Sequence, residues 1–271
     1  MTARQGSGPA FDTGTANAAR IYDCLLGGKD HFPADREAAA RLVEALPGTV
    51  QACRDNREFL QRVVRHLAKA GFRQFLDIGT GLPTMGSVHE VAQQAEPGAR
   101  VAYVDYDPIV LAHAQALLAG TPSVIAVEGD LRDPGAIIAS PDVQGHLDFT
   151  EPVAVLLVAV LHFVTDDEQP HAIVKALMGA MAPGSHLALT HVTADHVTPQ
   201  AAATAQAVYG TASAPVTART RDEVTRFFDG MTLLPPGVTG VSQWRPWITP
   251  APARRQPPHG AYIYAGTAMK H

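Results

Sequence analysis

The feature that most limits what this chain can fold into is Phe75-Leu76-Asp77-Ile78-Gly79-Thr80-Gly81-Leu82-Pro83, an apolar run that stops in a glycine turn. Residues 72–78 predict a buried strand, because the run is apolar, rich in β-forming side chains and ended by glycine. With no side chain at Gly79 or Gly81 the backbone is free to take positive φ, and a ligand is free to come against the peptide plane. The helix that follows such a turn offers unpaired N–H groups to an anion. This suits a nucleotide-like ligand, but it equally suits a tight strand-to-helix connection, so the neighbouring segments have to decide.

They decide it one strand-helix unit later. Val101-Ala102-Tyr103-Val104 is a second apolar run that ends at Asp105, where a carboxylate is placed to accept hydrogen bonds from a ribose diol. A third run, residues 124–127, ends in Glu128-Gly129-Asp130. Strands ending in Asp77 and Gly79, in Asp105 and in Asp130 line these groups along one edge of a parallel sheet, the edge at which open α/β sheets bind ligands.

The glycine turn, Tyr103-Val104-Asp105-Tyr106-Asp107-Pro108 and Gly129-Asp130 resemble the successive motifs of class I S-adenosylmethionine-dependent methyltransferases. More closely, Arg20-Ile21-Tyr22-Asp23-Cys24-Leu25-Leu26-Gly27-Gly28-Lys29-Asp30, residues 75–84 and residues 152–164 are similar to a bacterial methyltransferase-like family long carried as a domain of unknown function. The similarity is clearest over residues 18–193. It implies a Rossmann-like, doubly wound α/β fold with a mostly parallel seven-stranded sheet, S-adenosylmethionine as cofactor, and a small-molecule methyl acceptor. It also implies a helical N-terminal extension folded across the cofactor. The cofactor contacts it implies are Thr80, Tyr106, Leu131, Ala159 and Val160 beside Asp77, Gly79, Gly81, Asp105 and Asp130, with Tyr22, Gly27 and Gly28 from the extension and Lys29 nearby. Methyl transfer from a sulfonium asks mainly for alignment and exclusion of water, so a sequence exposes catalytic residues poorly. Asp23, His31 and His162 are the candidates. His162 follows the fourth strand, a segment that faces the sulfonium and the acceptor in class I enzymes, whereas His31 stands where that bacterial family more often carries Asn.

A chain of 271 residues holds one large α/β domain with a substantial core. We expect a loose start over residues 1–15, a helical cover over 16–70 and the Rossmann-like core over 71–271, all of 16–271 being one domain. With 21 basic against 26 acidic residues there is no clustered basic face to suggest a nucleic-acid partner, and a solvated loop explains Arg254-Arg255. Cys24 and Cys53, without CxxC spacing, argue against a disulfide framework or a structural zinc. The polar opening is unlike a signal peptide, and the longest apolar stretch, residues 152–160, falls short of the ~20 needed to span a bilayer. These features predict a cytoplasmic protein with no membrane partner, and the resemblance implies a bacterial one; they leave the oligomeric state open.

Helices are expected at 16–26, ending at Gly27, at 33–46 behind Pro33, and at 50–70. Further helices are expected at 84–95, at 109–118 behind an Asp107 cap, and from Asp133-Pro134 to about 140. The capping box Thr165-x-x-Glu168 predicts a helix to 181, Thr198-Pro199 one to 209, and Thr220-x-x-Glu223 one to 228. Strands are expected at 153–160, 186–191, 231–241 and 261–267, with 244–258 as a proline-rich surface excursion. Two other functions compete. A nicotinamide enzyme fits poorly, because Thr84 stands where G-x-G-x-x-G needs its last glycine. A module that binds S-adenosylmethionine or S-adenosylhomocysteine as a regulator, without turnover, has the same signature. His186, His191 and His196 lack the spacing of a metal site, and no G-x-S-x-G occurs to suggest a serine hydrolase.

Overall fold

The computed structural model describes residues 12–83, 86–118, 120–248 and 262–271. It begins with helices α1 (Ala18–Leu26), α2 (Pro33–Ala45) and α3 (Thr49–Lys69). Their ends follow local chemistry. Asn17 caps α1 by accepting from the N–H groups of Ala19 and Arg20, and Gly27 closes it at φ 82°. Pro33 takes the first position of α2, and Asp35 reaches back to accept the Phe32 N–H at 2.8 Å.

Strands and helices then alternate: β1 (Gln74–Ile78), α4 (Val88–Ala95), β2 (Arg100–Asp105), α5 (Pro108–Leu118), β3 (Val124–Glu128), α6 (Pro134–Ala139), α7 (Pro141–His146), β4 (Ala154–Val158), α8 (Pro170–Gly179) and β5 (His186–Val192). The described chain closes with α9 (Pro199–Gly210), α10 (Arg221–Arg226), β6 (Met231–Leu233), β7 (Thr239–Gly240) and β8 (Ile263–Lys270). One sheet runs β3-β2-β1-β4-β5-β8-β6, with β7 also on β8. The first five strands are parallel, and β8 is antiparallel to each of its partners. The chain winds outwards from β1 to β3 and returns to β4 on the other side of β1, so the winding reverses between β1 and β4 and the strand tips part there.

Alternate side chains of β1 serve opposite faces. Phe75 packs with Phe59, Val63 and Val64 of α3 and Val91 of α4, whereas Leu76 and Ile78 join Ile137, Val143, Ile173 and Leu177. A third apolar cluster, Ile21, Leu25, Ala38, Ala39, Leu42, Cys53 and Val208, holds α1 and α2 on α3 and α9 and forms a cover over the strand tips. Within it Arg20 Nε meets Asp35 Oδ2 at 2.9 Å with both side chains buried. Among the described residues no helix is long and apolar enough to cross a membrane.

The expected mostly parallel Rossmann-like sheet is present, with eight strands rather than seven. Residues 231–241 split into β6 and β7, because Pro235 and Pro236 lack the N–H that a ladder needs. The helix after the glycine turn starts at Val88, later than expected, where Ser87 and Glu90 form a capping box. The Thr165–Glu168 box caps only a 3₁₀ turn, Asp166–Glu168; Gln169, at φ 57°, then breaks the path before Pro170 opens α8. The short α7 was not foreseen. Trp244, expected on a surface excursion, is fully buried, edge-on to Phe59 at 5.2 Å, and its carbonyl accepts from Arg62 Nε at 3.1 Å. Residues 1–11 of the loose start, Thr84, Arg254-Arg255 and the stretch 249–258 of the excursion lie outside the described residues.

Candidate functional site

At the tip of β1 the Gly79 N–H donates to Val104 O at 2.8 Å, and φ is 73°. A Cβ on Gly79 would drive into the Val160 side chain, so glycine is required there for space as well as for torsion. Gly81, at φ 65°, donates its N–H to Asp105 Oδ2 at 2.9 Å, and the other Asp105 oxygen accepts the Asp107 N–H at 3.0 Å. Asp105 therefore ties the glycine turn to the tip of β2, and each oxygen keeps a further lone pair. Burial raises its pKa, opposed by those N–H groups. Asp77 lies on the α3 face of β1 and is buried. Burial lifts its pKa to about 7, with Arg57 of α3 pulling it down and Asp105 pushing it up. Thr80 Oγ1 donates to Asp77 O at 3.2 Å.

Asp107 has the structural role the sequence suggests. Its Oδ1 accepts the Ile109 N–H at 2.8 Å, and its Oδ2 accepts from Asn17 Nδ2 at 2.7 Å, tying the cover to the core. Beyond β3, Asp130 is partly exposed and grips Arg132 Nη1 at 2.8 Å, while Arg132 Nε reaches Glu168 at 2.8 Å and its guanidinium lies 5.8 Å from the Tyr106 ring.

On the cover, Tyr22 OH donates to Cys53 O at 3.0 Å and accepts from Asn56 Nδ2 at 2.9 Å. Burial raises the Tyr22 and Tyr209 phenol pKa values well above normal and pushes the Cys53 thiol up to about 12. Asp23 accepts the Asp30 N–H at 2.9 Å and meets His31 Nδ1 at 3.0 Å through the same oxygen, Oδ2.

At the tip of β4, Ala159 is held at φ 58° with its N–H donated to Thr190 Oγ1 at 2.8 Å. The 3₁₀ turn that follows, Leu161–Phe163, carries His162, 5% exposed, whose Nδ1 has no hydrogen-bond partner. Burial holds this ring's pKa well below the usual imidazole range, helped by His191 and Arg219. His191 Nδ1 donates to Val192 O and Nε2 accepts from Arg219 Nη1, both at 2.8 Å; its pKa falls to about 3, chiefly by burial.

These groups enclose one cavity of about 340 Å³ between the strand tips and the cover, within the range of roughly 300–1,000 Å³ of small-molecule sites. Among the residues expected from sequence, Asp77, Gly79, Thr80, Gly81, Asp105 and Tyr106 line one side of it. Asp130, Leu131, Ala159, Val160 and His162 continue the wall, and Tyr22 and Asp23 close it from the cover. Gly27 and Gly28, implied as cofactor contacts, are not part of this lining: Gly27 is the left-handed end of α1, and Gly28 leaves room for the Asp23 carboxylate. Lys29 and His31 are also outside the wall, His31 being turned to Asp23. Residues that sequence reasoning missed are Asn56 and Arg57 on α3 and Tyr209 on α9. They sit on amphipathic helices whose sequence tells which face is apolar but not what that face meets.

The model of the S-adenosyl methyltransferase family matches residues 4–271. A DUF574 family protein from Streptomyces avermitilis is 41% identical with a TM-score of 0.89, the match covering 96% of this chain and 99% of that one. A candidate methyltransferase from Thermobifida fusca is 40% identical with a TM-score of 0.89, covering 98% and 99%. The plantazolicin methyltransferase BamL, solved with S-adenosylhomocysteine, shares the fold at 11% identity, with a TM-score of 0.52 over 93% and 96% of the two chains. No curated protein matches the chain.

Proposed function

Because the chain belongs to the S-adenosyl methyltransferase family, we propose that it binds S-adenosylmethionine across the tips of β1, β2 and β3 and transfers its methyl group to a small molecule. The observation that carries this reading is the junction of Gly79, Gly81 and Asp105 between the tips of β1 and β2, beside the β1–β4 gap where the sheet reverses its winding. The residues fit such a cofactor: bare peptide groups at the turn, a buried carboxylate with lone pairs to spare for a ribose diol, and more acids than bases around a ligand that carries a sulfonium. When bound, the cofactor supplies an electrophilic methyl group on an already activated leaving group.

The chain's own contribution is then positional. Asp105 would orient the ribose, Asp130 and Tyr106 would flank the adenine end, and Asp77, with Arg57 acting on it, would shape the turn. The cover of α1, α2 and α3 keeps water from the reacting atoms. His162 is neutral at physiological pH and weakly basic, so it suits hydrogen bonding to an acceptor better than removing a proton from one. The cavity runs on past the glycine turn to Leu42, Leu46 and Tyr209. A lining that extends onto these helices gives an acceptor a wall of its own, which supports turnover over purely regulatory binding. Calorimetry tests the reading: S-adenosylhomocysteine should bind the wild type, and Asp105→Ala, folded by circular dichroism, should bind at least about tenfold more weakly, as expected for losing hydrogen bonds to a charged group. No binding, or equal binding by the variant, would refute it.

A further inference from the structure

The cover side of the cavity has a chemistry of its own. Tyr22 has a single hydroxyl proton, and that proton goes to Cys53 O. Asn56 must therefore donate to Tyr22, which fixes the orientation of its amide and turns Oδ1 away from this network. Asn56 is 1% exposed, and Oδ1 has no hydrogen-bond partner. A buried amide oxygen left unpaired is destabilising, which points to a group that pairs with it. His162, which lines the same cavity from the turn after β4, carries in Nδ1 a second buried atom without a partner.

The same cavity is lined by apolar Leu42, Leu46, Leu60 and Ala205 from the helices of the cover and α9. Charge is disposed elsewhere. Asp23 is engaged with Asp30 and His31, and Arg132 with Asp130 and Glu168, while Arg57 acts on Asp77. Asp77 and Asp105 remain on the turn side and would repel an anion.

We propose that this half of the cavity, under α1, α3 and α9, is the acceptor subsite, and that it takes a small, uncharged, mainly apolar molecule whose hydroxyl or N–H donates to Asn56 Oδ1. The proposal rests on the methyltransferase reading above. His162 is the second polar anchor and Tyr209 part of the wall. A site built to pair with a hydroxyl discriminates strongly against an isostere that lacks one, because its own polar atom is then left bare.

The test uses the full chain saturated with S-adenosylhomocysteine and three probes of similar size: p-cresol, p-xylene and p-toluate. By calorimetry, p-cresol should bind at least tenfold more tightly than either of the others. Asn56→Leu should bring p-cresol and p-xylene within twofold of each other while leaving S-adenosylhomocysteine affinity within twofold of wild type. No p-cresol binding, equal binding of the three probes, or a hydroxyl preference that survives in Asn56→Leu overturns the proposal. A folded Asn56→Leu that loses S-adenosylhomocysteine also overturns it, by assigning Asn56 to the cofactor. If Asn56→Leu does not fold, the comparison of the three probes on wild type still decides. Failure of S-adenosylhomocysteine to bind the wild type would instead strike the functional reading on which the subsite depends.

Discussion

Among single residues, Asp77 makes the sharpest prediction. Its folded pKa of about 7 lies above the 3.8 of an ordinary aspartate, so the native state keeps a proton that the unfolded chain has already released. The stability linked to this group is complete below about pH 4 and is lost as pH rises from there to about 7, on the order of a few kcal/mol. Asp77→Asn has no such proton to lose. Its melting temperature should gain on that of the wild type from pH 5 to pH 8, and parallel curves would contradict the argument. The two glycines of the turn should also differ. Gly81→Ala has open space and pays only for its left-handed torsion, about 1–2 kcal/mol, whereas Gly79→Ala adds a collision with Val160 worth about 1–3 kcal/mol more. Urea unfolding of the pair measures the gap, and equal costs would contradict it. The glycines and Asp105 were legible because strand tips advertise themselves by an abrupt change of residue type. Asn56 was not, since a polar residue on a helix reads as surface until the fold shows a cavity under it.

For the elements, the joint between α1 and α2 depends on the buried pair of Arg20 and Asp35. Removing one partner leaves the other as an uncompensated buried charge, so Arg20→Ala should cost about 3–5 kcal/mol in urea unfolding and loosen the cover. A loss under about 1 kcal/mol would mean that the joint is held by the apolar cluster alone. From sequence this arginine could be read only as part of a motif, because its partner lies on the next helix and across a glycine loop. Helix ends set by glycine, proline and capping residues were legible at Gly27, Pro33, Asp133 and Thr198, where the signal is local, whereas the Asn17 cap of α1 was read as part of the helix. The Thr165 box misled, since a capping box marks the start of a helical turn without fixing how many turns follow. Trp244 misled for the opposite reason: its proline-rich setting suggested solvent, while its burial depends on Phe59, far away in sequence.

Taken as a whole, the molecule is a mostly parallel sheet whose tips are closed over by its own first helices, and the closure should respond to a ligand. At about 1,000 times Kd, S-adenosylhomocysteine would stabilise the native state by about 4 kcal/mol. Hydrogen exchange should show that protection concentrated in α1, α3 and α9 and nearly absent from β6 and β7; an even increase would argue against a ligand between cover and core. The far margin of the sheet has another consequence. There β8 carries β6, a strand of three residues, and the two-residue β7. A neighbouring chain seeking to extend the sheet finds too few free backbone groups along β6 to grip. Self-association by edge-to-edge strand addition is therefore discouraged at this border, whatever happens in the cavity at the strand tips.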